Sequence, residues 1–568
     1  MSLIDINDLT FSYDTNYENI FEHASLQIDT DWRLGFIGRN GRGKTTLLKL
    51  LLGEYDYSGS IRASVHFDYF PYEVIDQEAL TGDVIKNTIA PFKEWEEEME
   101  QCLEPQETEQ GKEASQTLHM ERYGKLQELY QANDGYIIEE LIEKELGKLQ
   151  VDLSVLARPF FTLSFGEKTK ILLAALFLKK NNFLLIDEPT NHLDMEGREI
   201  LAGYLKTKKG FILVSHDRAF LDRCIDHVLS INRADIEVQK GNYSSWQKNK
   251  EQQDNYELGK NEKLKKDILS LSESAKRTAG WSEQVEASKI GMHAPDRGFI
   301  GHKAAKMMKR AKAVENRRLD AIEEKKGLLK NIEQSEPLKI NLLPFPNKRL
   351  IEAEDLNLYY RNEDHVPVIT MHGAKAAPFI GSEDATSDDF YYRNREIASG
   401  INFTLCAGDR ICIRGRNGSG KSTLFKLLLG EDIVYTGRLH IAKGLKLSYV
   451  SQDTSGLSGN LKDFASGHGL DETIFKTVLR QLDFSRNQFE KDICEFSGGQ
   501  KKKVLLAKSL SEPAHVFLWD EPLNFVDVFS RLQIEELILK FRPTMIFVEH
   551  DRVFAEKIAT KTIRLDAE

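Results

Sequence analysis

Gly38 to Glu54 reads GRNGRGKTTLLKLLLGE, and Gly415 to Glu431 reads GRNGSGKSTLFKLLLGE. The two stretches differ at three positions and stand 377 residues apart. Each follows an apolar, strand-like run (Leu34 to Ile37; Ile411 to Ile413) and leads into a helical one (Thr46 to Leu52; Thr423 to Leu429). In that setting Gly38, Gly41 and Gly43, and Gly415, Gly418 and Gly420, let backbone N–H groups converge on phosphate oxygens at a helix N-terminus. Asn40, Thr46, Asn417 and Thr423 complete the two loops. Lys44 and Lys421 are placed to reach β- and γ-phosphates, and Thr45 and Ser422 to offer a hydroxyl to Mg²⁺.

Other elements recur in the same order. SFGEK at Ser164 is matched by SGGQK at Ser497, LLIDEP ending at Pro189 by FLWDEP ending at Pro522, and SHDR at Ser215 by EHDR at Glu549. Ser164 to Asp187 and Ser497 to Asp520 are both 23 residues, a spacing that chance does not keep. The chain is therefore a tandem of two homologous α/β domains. We expect P-loop nucleotide-binding domains at 1–246 and 342–568, joined by an α-helical hairpin linker at 247–341. Asp187 and Asp520 end buried-strand runs and would hold Mg²⁺ through water, while Glu188 and Glu521 would orient or deprotonate an attacking water. His216 and His550 follow strand-like runs, 29 and 30 residues beyond those aspartates, and are placed to sense a γ-phosphate.

Composition excludes several classes. Of 568 residues, 41% are hydrophobic and 29% charged, as in a folded soluble chain rather than a disordered one. The longest purely apolar run, Ile171 to Leu178, is eight residues, against the roughly 20 that a membrane helix needs. No basic and apolar leader opens the sequence, and the five cysteines form no CxxC pair, which predicts a reducing cytoplasmic setting without disulfides or structural zinc.

Net charge is −12, but it is unevenly spread. Residues 248–340 hold 21 Lys+Arg against 15 Asp+Glu, a local +6 that leaves −18 elsewhere. Leu264, Ile268 and Leu271, then Ile322, Leu329 and Ile332, recur at helical spacing on either side of a breaker cluster, Gly280, Gly291, Pro295, Gly298 and Gly301. The pattern predicts two antiparallel arms of ~40 residues, roughly 60 Å each. Lys303, Lys306, Lys309, Arg310 and Lys312 follow the tip on one helix face, with no acid among residues 303–312. Such a run is often a mere solvated surface. Here a basic probe on an acidic body, with Trp281, Phe299 and His302 near its tip, suits a dense polyanion such as RNA.

With these motifs in hand, the sequence resembles a tandem ATP-binding-cassette protein over nearly its whole length. The resemblance implies domains facing head to tail, with ATP and Mg²⁺ between the P-loop of one and the signature of the other. Site one then combines Lys44, Thr45, Asp187, Glu188 and His216 with Ser497, Gly498 and Gly499. Site two combines Lys421, Ser422, Asp520, Glu521 and His550 with Ser164 and Gly166. Tyr13 and Tyr360 match the family's adenine-stacking aromatic, although single tyrosines equally suit a core role. Gln452 matches the glutamine that joins the Mg²⁺ shell; the first domain has Tyr72 there, and Phe165 replaces a signature glycine.

Paired cassettes, a long basic linker and no membrane span further resemble the ABC-F family of ribosome-associated ATPases. The GFIGHKAAKMMKRAK run (Gly298 to Lys312) and LNFVD (Leu523 to Asp527) are similar to its antibiotic-resistance branch of Lsa and Vga type. That resemblance implies a monomer with internal domain pairing that enters the tRNA exit site of the bacterial 70S ribosome. Linker residues 280–312 would meet 23S rRNA and P-site tRNA and displace lincosamides, streptogramin A compounds or pleuromutilins, with no membrane or DNA involved. A housekeeping translation factor of the same family and a transporter ATPase are the alternatives; a DNA-repair ABC protein would carry its coiled coil inside one domain. Two segments stay open: an acidic helical stretch, Glu94 to Glu145, reads as a short arm or a solvated subdomain, and ~Arg361 to Asn394 as a surface loop.

Overall fold

A computed structural model describes residues 2–13, 19–103, 112–191, 193–231, 236–287, 309, 317, 337–361, 394–416 and 418–565. Residues Met1–Tyr243 and Glu336–Glu568 form one compact unit, and Ser244–Ser335 a second.

In the first domain β1 (Leu3–Phe11), β2 (Phe21–Asp29) and β3 (Arg33–Gly38) are followed by β4 (Ser58–Arg62) and β5 (His66–Phe70). Helices then intervene before β6 (Asn182–Asp187), β7 (Phe211–Val214), β8 (His227–Ile231) and β9 (Ile236–Lys240). A three-stranded antiparallel sheet has the order β2-β1-β4. The main sheet runs β5-β6-β7-β3-β8-β9, parallel except for the β8–β9 pair.

The second domain repeats this plan with β10 (Arg349–Arg361), β11 (Asn394–Cys406), β12 (Arg410–Arg414) and β13 (Val434–Ile441). Then come β14 (Leu447–Val450), β15 (Val516–Asp520), β16 (Met545–Val548) and β17 (Lys561–Arg564). Its sheets have the orders β11-β10-β13, antiparallel, and β14-β15-β16-β12-β17, parallel.

Parallel strands covered on both faces need apolar residues at consecutive positions. That is why FLLI in β6, FILV in β7, VFLW in β15 and MIFV in β16 are unbroken and fully buried. Phe36 and Leu47 pack with Phe183 and Val214 in the first domain; Ile413 and Phe425 pack with Leu518 and Val548 in the second. The strand order matters more for function. β3 and β6 both flank β7, so the phosphate loop, the Asp187–Glu188 pair and His216 leave neighbouring carboxyl ends of one sheet. Ligands of open parallel sheets bind at such an edge.

The acidic stretch is three helices, Phe92–Leu103, Lys112–Ala132 and Ile138–Lys148. Arg122 bonds Glu98 at 2.8 Å and Tyr130 bonds Glu96 at 2.6 Å, so part of its charge is spent internally. Residues 362–393, the bulk of the expected surface loop, lie outside the described residues; β10 and β11 lead into and out of them.

The linker's outgoing arm is one helix, Tyr243–Ala287, of 45 residues, about 67 Å at 1.5 Å per residue. It runs through Gly280, which corrects the expectation that this glycine belongs to the breaker cluster. An isolated glycine costs a helix only ~1 kcal/mol, less than the surrounding turns supply. Lys309 and Arg317, in the sequence expected to form the returning arm, are helical and exposed. Gly291, Pro295, Gly298, Phe299, Gly301, His302, Lys303, Lys306, Arg310, Lys312, Ile322, Leu329 and Ile332 lie outside the described residues. No described helix is long and apolar enough to cross a membrane.

Candidate functional site

Each phosphate loop turns on two glycines in the left-handed region, Gly41 and Gly43 at φ 81° and 87°, and Gly418 and Gly420 at 84° and 82°. Only glycine adopts that backbone without steric cost, which is why the motif holds it there. The helices begin at Lys44 and Lys421 themselves. Lys44 Nζ donates to Gly38 O at 2.7 Å and Arg39 O at 3.1 Å; Lys421 Nζ donates to Gly415 O at 2.9 Å and Arg416 O at 2.7 Å. Burial lowers both lysine pKa values, so an arriving polyanion would restore their preference for charge. The Tyr13 hydroxyl lies 2.9 Å from Thr46 Oγ1 and that of Tyr360 lies 3.4 Å from Thr423 Oγ1, matching positions in the two repeats. Tyr13 packs edge-on against Phe11 and Tyr55, whereas Tyr360 is 57% exposed. Asn417 lies outside the described residues.

The carboxylates differ between the repeats. Thr45 Oγ1 donates to Asp187 Oδ2 at 2.9 Å, and the Tyr69 hydroxyl donates to the same oxygen at 3.1 Å. Both oxygens of Asp520 are buried without a hydrogen-bond partner, although the Ser422 hydroxyl is near enough to ease its burial penalty. Burial raises the pKa of both aspartates. Two orphaned carboxylate oxygens beside a phosphate loop form an environment that a divalent cation completes. The donor set of hydroxyl and carboxylate oxygens fits Mg²⁺.

Glu521 is firmly tied. Gln452 Nε2 donates to its Oε2 at 2.9 Å, Asn524 Nδ2 donates to the same oxygen, and His550 Nε2 lies 3.1 Å from Oε1. Burial pushes its pKa up, but the His550 hydrogen bond and the Lys421 and Lys502 charges more than offset this and hold it below the usual range. Glu188 has a looser setting. His216 Nε2 is 3.4 Å away, and Glu188 Oε1 has no hydrogen-bond partner. Burial, reinforced by Asp187, pushes its pKa up to about 8. Burial also keeps His216 neutral. Tyr72, at the position of Gln452, is 36% exposed; the nearby aromatic that reaches the acidic pair is Tyr69 instead.

Within the compact unit the two repeats meet across both sites. Ser164 and Ser497 cap the helices Phe165–Leu178 and Gly498–Ser511, each in a reciprocal box with the third helical residue. At site one, Asn40 Nδ2 donates to Phe525 O at 2.9 Å, and a Cβ on Gly499 would lie 2.5 Å from that amide. The signature helix of the second domain thus rests on the phosphate loop of the first. At site two, a cavity of about 760 Å³ is lined by Ser164, Phe165 and Gly166 from the first domain. Gly418, Gly420, Lys421, Ser422, Thr423, Tyr360, Gln452, Glu521 and His550 line it from the second. Gly415 borders an adjoining space of about 160 Å³. Sequence reading passed over Asn524 and Tyr69; Asn524 left a signal, because an asparagine stands three residues after the acidic pair's glutamate in both copies.

The ABC transporter family pattern matches residues 21–191 and 398–524, together more than half of the chain. The ribosome protection protein VmlR of Bacillus subtilis (strain 168) is 27% identical over 556 residues, covering 96% of this chain and 84% of that protein. The energy-dependent translational throttle protein EttA of Escherichia coli (strain K12) is 26% identical over 560 residues, covering 95% and 88%. A solved complex of an archaeal ribosomal stalk protein with the ribosome recycling factor aABCE1 superposes with a TM-score of 0.53 at 18% identity, covering 98% of this chain and 87% of that one. The tandem arrangement of these folds is thus shared. The protein belongs to the ABC transporter family, as an ATP-hydrolysing tandem of two ATP-binding domains.

Proposed function

We propose that the protein is a ribosome-binding ATPase of ABC-F type that protects the bacterial 70S ribosome from peptidyl-transferase-centre antibiotics. The observation that carries this reading is the pairing of two repeats, each with a phosphate loop, acidic pair and signature helix, through a 45-residue charged helix. The likeness to a ribosome protection protein over 96% of the chain supports it. On this reading the protein works in the cytoplasm as a monomer. ATP bound head to tail closes the two domains, and the linker tip, residues 280–312, enters from the tRNA exit site toward P-site tRNA and 23S rRNA. Lincosamides, streptogramin A compounds and pleuromutilins then lose their site through differential binding.

Lys44 and Lys421 bind the β- and γ-phosphates, and Tyr13 and Tyr360 support the base. Thr45 and Asp187, and Ser422, Gln452 and Asp520, would hold Mg²⁺, which when bound supplies positive charge against the transferring phosphate. Glu188 and Glu521 orient the attacking water and accept its proton, His216 and His550 sense the γ-phosphate, with His550 also bonded to Glu521, and Ser164 and Ser497 close on the phosphate from the opposite domain. A housekeeping translation factor is the second reading, favoured by the equal likeness to a translational throttle protein.

The Glu188→Gln, Glu521→Gln double variant should bind ATP without turnover and co-sediment with 70S ribosomes. Adding Lys303→Glu, Lys306→Glu and Lys309→Glu should release it. Expression in a drug-sensitive host should raise resistance to the named drugs. Ribosome binding without resistance would support the translation-factor reading, and failure to sediment in any nucleotide state would refute both.

A further inference from the structure

Two adjacent lysines on the helix Gly498–Ser511 reach toward different ATP sites. Lys502 is 1% exposed; its Nζ donates to Ser451 O at 2.7 Å and lies 3.5 Å from Asp520 O. Ser451 precedes Gln452, whose amide holds Glu521 at 2.9 Å. Lys502 therefore pins the backbone on both sides of the Gln452–Glu521 pair of site two. Lys503 is 2% exposed, pairs with Asp527 Oδ2 at 2.7 Å and donates to Leu482 O at 2.9 Å. Asp527, itself fully buried, exerts its charge on Lys44 and His216 of site one. Two residues earlier, Phe525 O accepts from Asn40 of the same site.

Burying an ammonium costs several kcal/mol unless its partners are fixed, and here the fixed partners are the working loops of two sites. The same helix presents Ser497 and Gly499 to site one, so a rigid element touches both. Among the described residues, the first repeat shows no such pair of lysine contacts. Thr169 stands at the position of Lys502 and returns its hydroxyl to Phe165 O at 3.0 Å, while Lys170 lines the site-two cavity.

We propose that Lys502 and Lys503 are positioning residues that couple the two sites through the second domain's signature helix. Closure of the second domain's signature on site one sets the Gln452–Glu521 pair of site two. This rests on the assignment of the two ATP sites given above. Among the described residues, the first repeat's signature helix, with threonine in place of the first lysine, makes no second link of this kind.

The test uses the full-length chain carrying K502T, K502M, K502R or K503A, each also combined with E188Q or E521Q. In the E188Q background, where site two alone turns over, K502T and K502M should lower kcat about fivefold or more, the lower end of ordinary coupling. The ATP KM should stay within about twofold, as expected when positioning rather than uniform binding is lost. K502R, which keeps the cation, should recover most of the rate. In the E521Q background, where site one alone turns over, K502T should change nothing further. K502T and K503A together should be less than additive, as for two links of one route. Equal losses in the E188Q and E521Q backgrounds, or no loss in either, would overturn the coupling while leaving the site assignment standing. Undiminished turnover in the E188Q, E521Q double variant would instead overturn the site assignment and the coupling with it.

Discussion

A Cβ on Gly499 would sit 2.3 Å from Phe525 O and 2.5 Å from Asn40 Nδ2, contacts that no side chain tolerates. The residue is glycine because two domains close on it. Gly499→Ala should therefore hold site one open, lowering ATP turnover by about tenfold to a hundredfold, as misplacement near 1 Å does. The helix Gly498–Ser511 itself should not be weakened, since alanine is a better helix former than glycine. A turnover equal to wild type would show that site one closes by another route. Glu188 and Glu521 carry strain of a different kind, at φ 50° and 47°, where few non-glycine residues settle. Their place at a strand end is readable in the DEP motif, but the contrast in their hydrogen bonding is not, because Glu521 is held chiefly by Gln452 and His550, 69 and 29 residues away. The exposed Tyr72 and the inserted Tyr69 make the same point: the motif position is legible, the side chain that fills the space is not.

Among the elements, the buried strands and the signature helices follow directly from apolar runs and Ser-x-x-Glu/Gln boxes. The helix through Gly280 shows where such reading falters, since a breaker breaks only when local cost exceeds what adjoining turns supply. Glu145 offers a sharper case. Its sequence context is an acidic helix, yet it accepts from the Tyr204 hydroxyl at 2.7 Å, from Lys148 at 2.7 Å and from Lys208 at 2.5 Å, tying the helix Ile138–Lys148 to Met195–Lys206. Burial raises its pKa, but these three donors win and lower it from 4.5 to about 2. A carboxylate with a depressed folded pKa stabilises above its unfolded value and loses that contribution as pH falls toward the folded one. Glu145→Gln should therefore cost about 1–3 kcal/mol near neutrality. In denaturant titrations the gap from wild type should narrow as pH falls below 4.5 toward about 2. A gap that stays constant over that range would assign the loss to packing.

For the molecule as a whole, the repeats are joined through buried charge. Arg218, just beyond His216, donates to Glu535 of the second domain at 2.9 Å and lies 3.5 Å from Asp551. Arg531 adds a 3.2 Å contact to the same aspartate, and Lys557 pairs with Glu535. All but the lysine are buried. Removing one member of such a network leaves uncompensated charge, so Arg218→Ala should cost about 3 kcal/mol. Unfolding in urea should then split into two transitions, one per domain; a single transition at the wild-type midpoint would show that the network does not bind the domains together.

By itself the sequence determined the tandem P-loop architecture, two matched sets of candidate phosphate-loop, acidic-pair and signature residues, and the basic character of the linker. Each of these depends on residue type at short or repeated spacing, which chain order preserves. Tertiary structure decided which signature meets which phosphate loop, the tight tethering of Glu521 against the looser Glu188, and the reach of Lys502, Lys503 and Arg218. Those features depend mainly on atoms from 21 residues apart, as for Lys503 and Leu482, to 485 apart, as for Asn40 and Phe525, whose burial and partners exist only once the sheets have stacked and the domains have met.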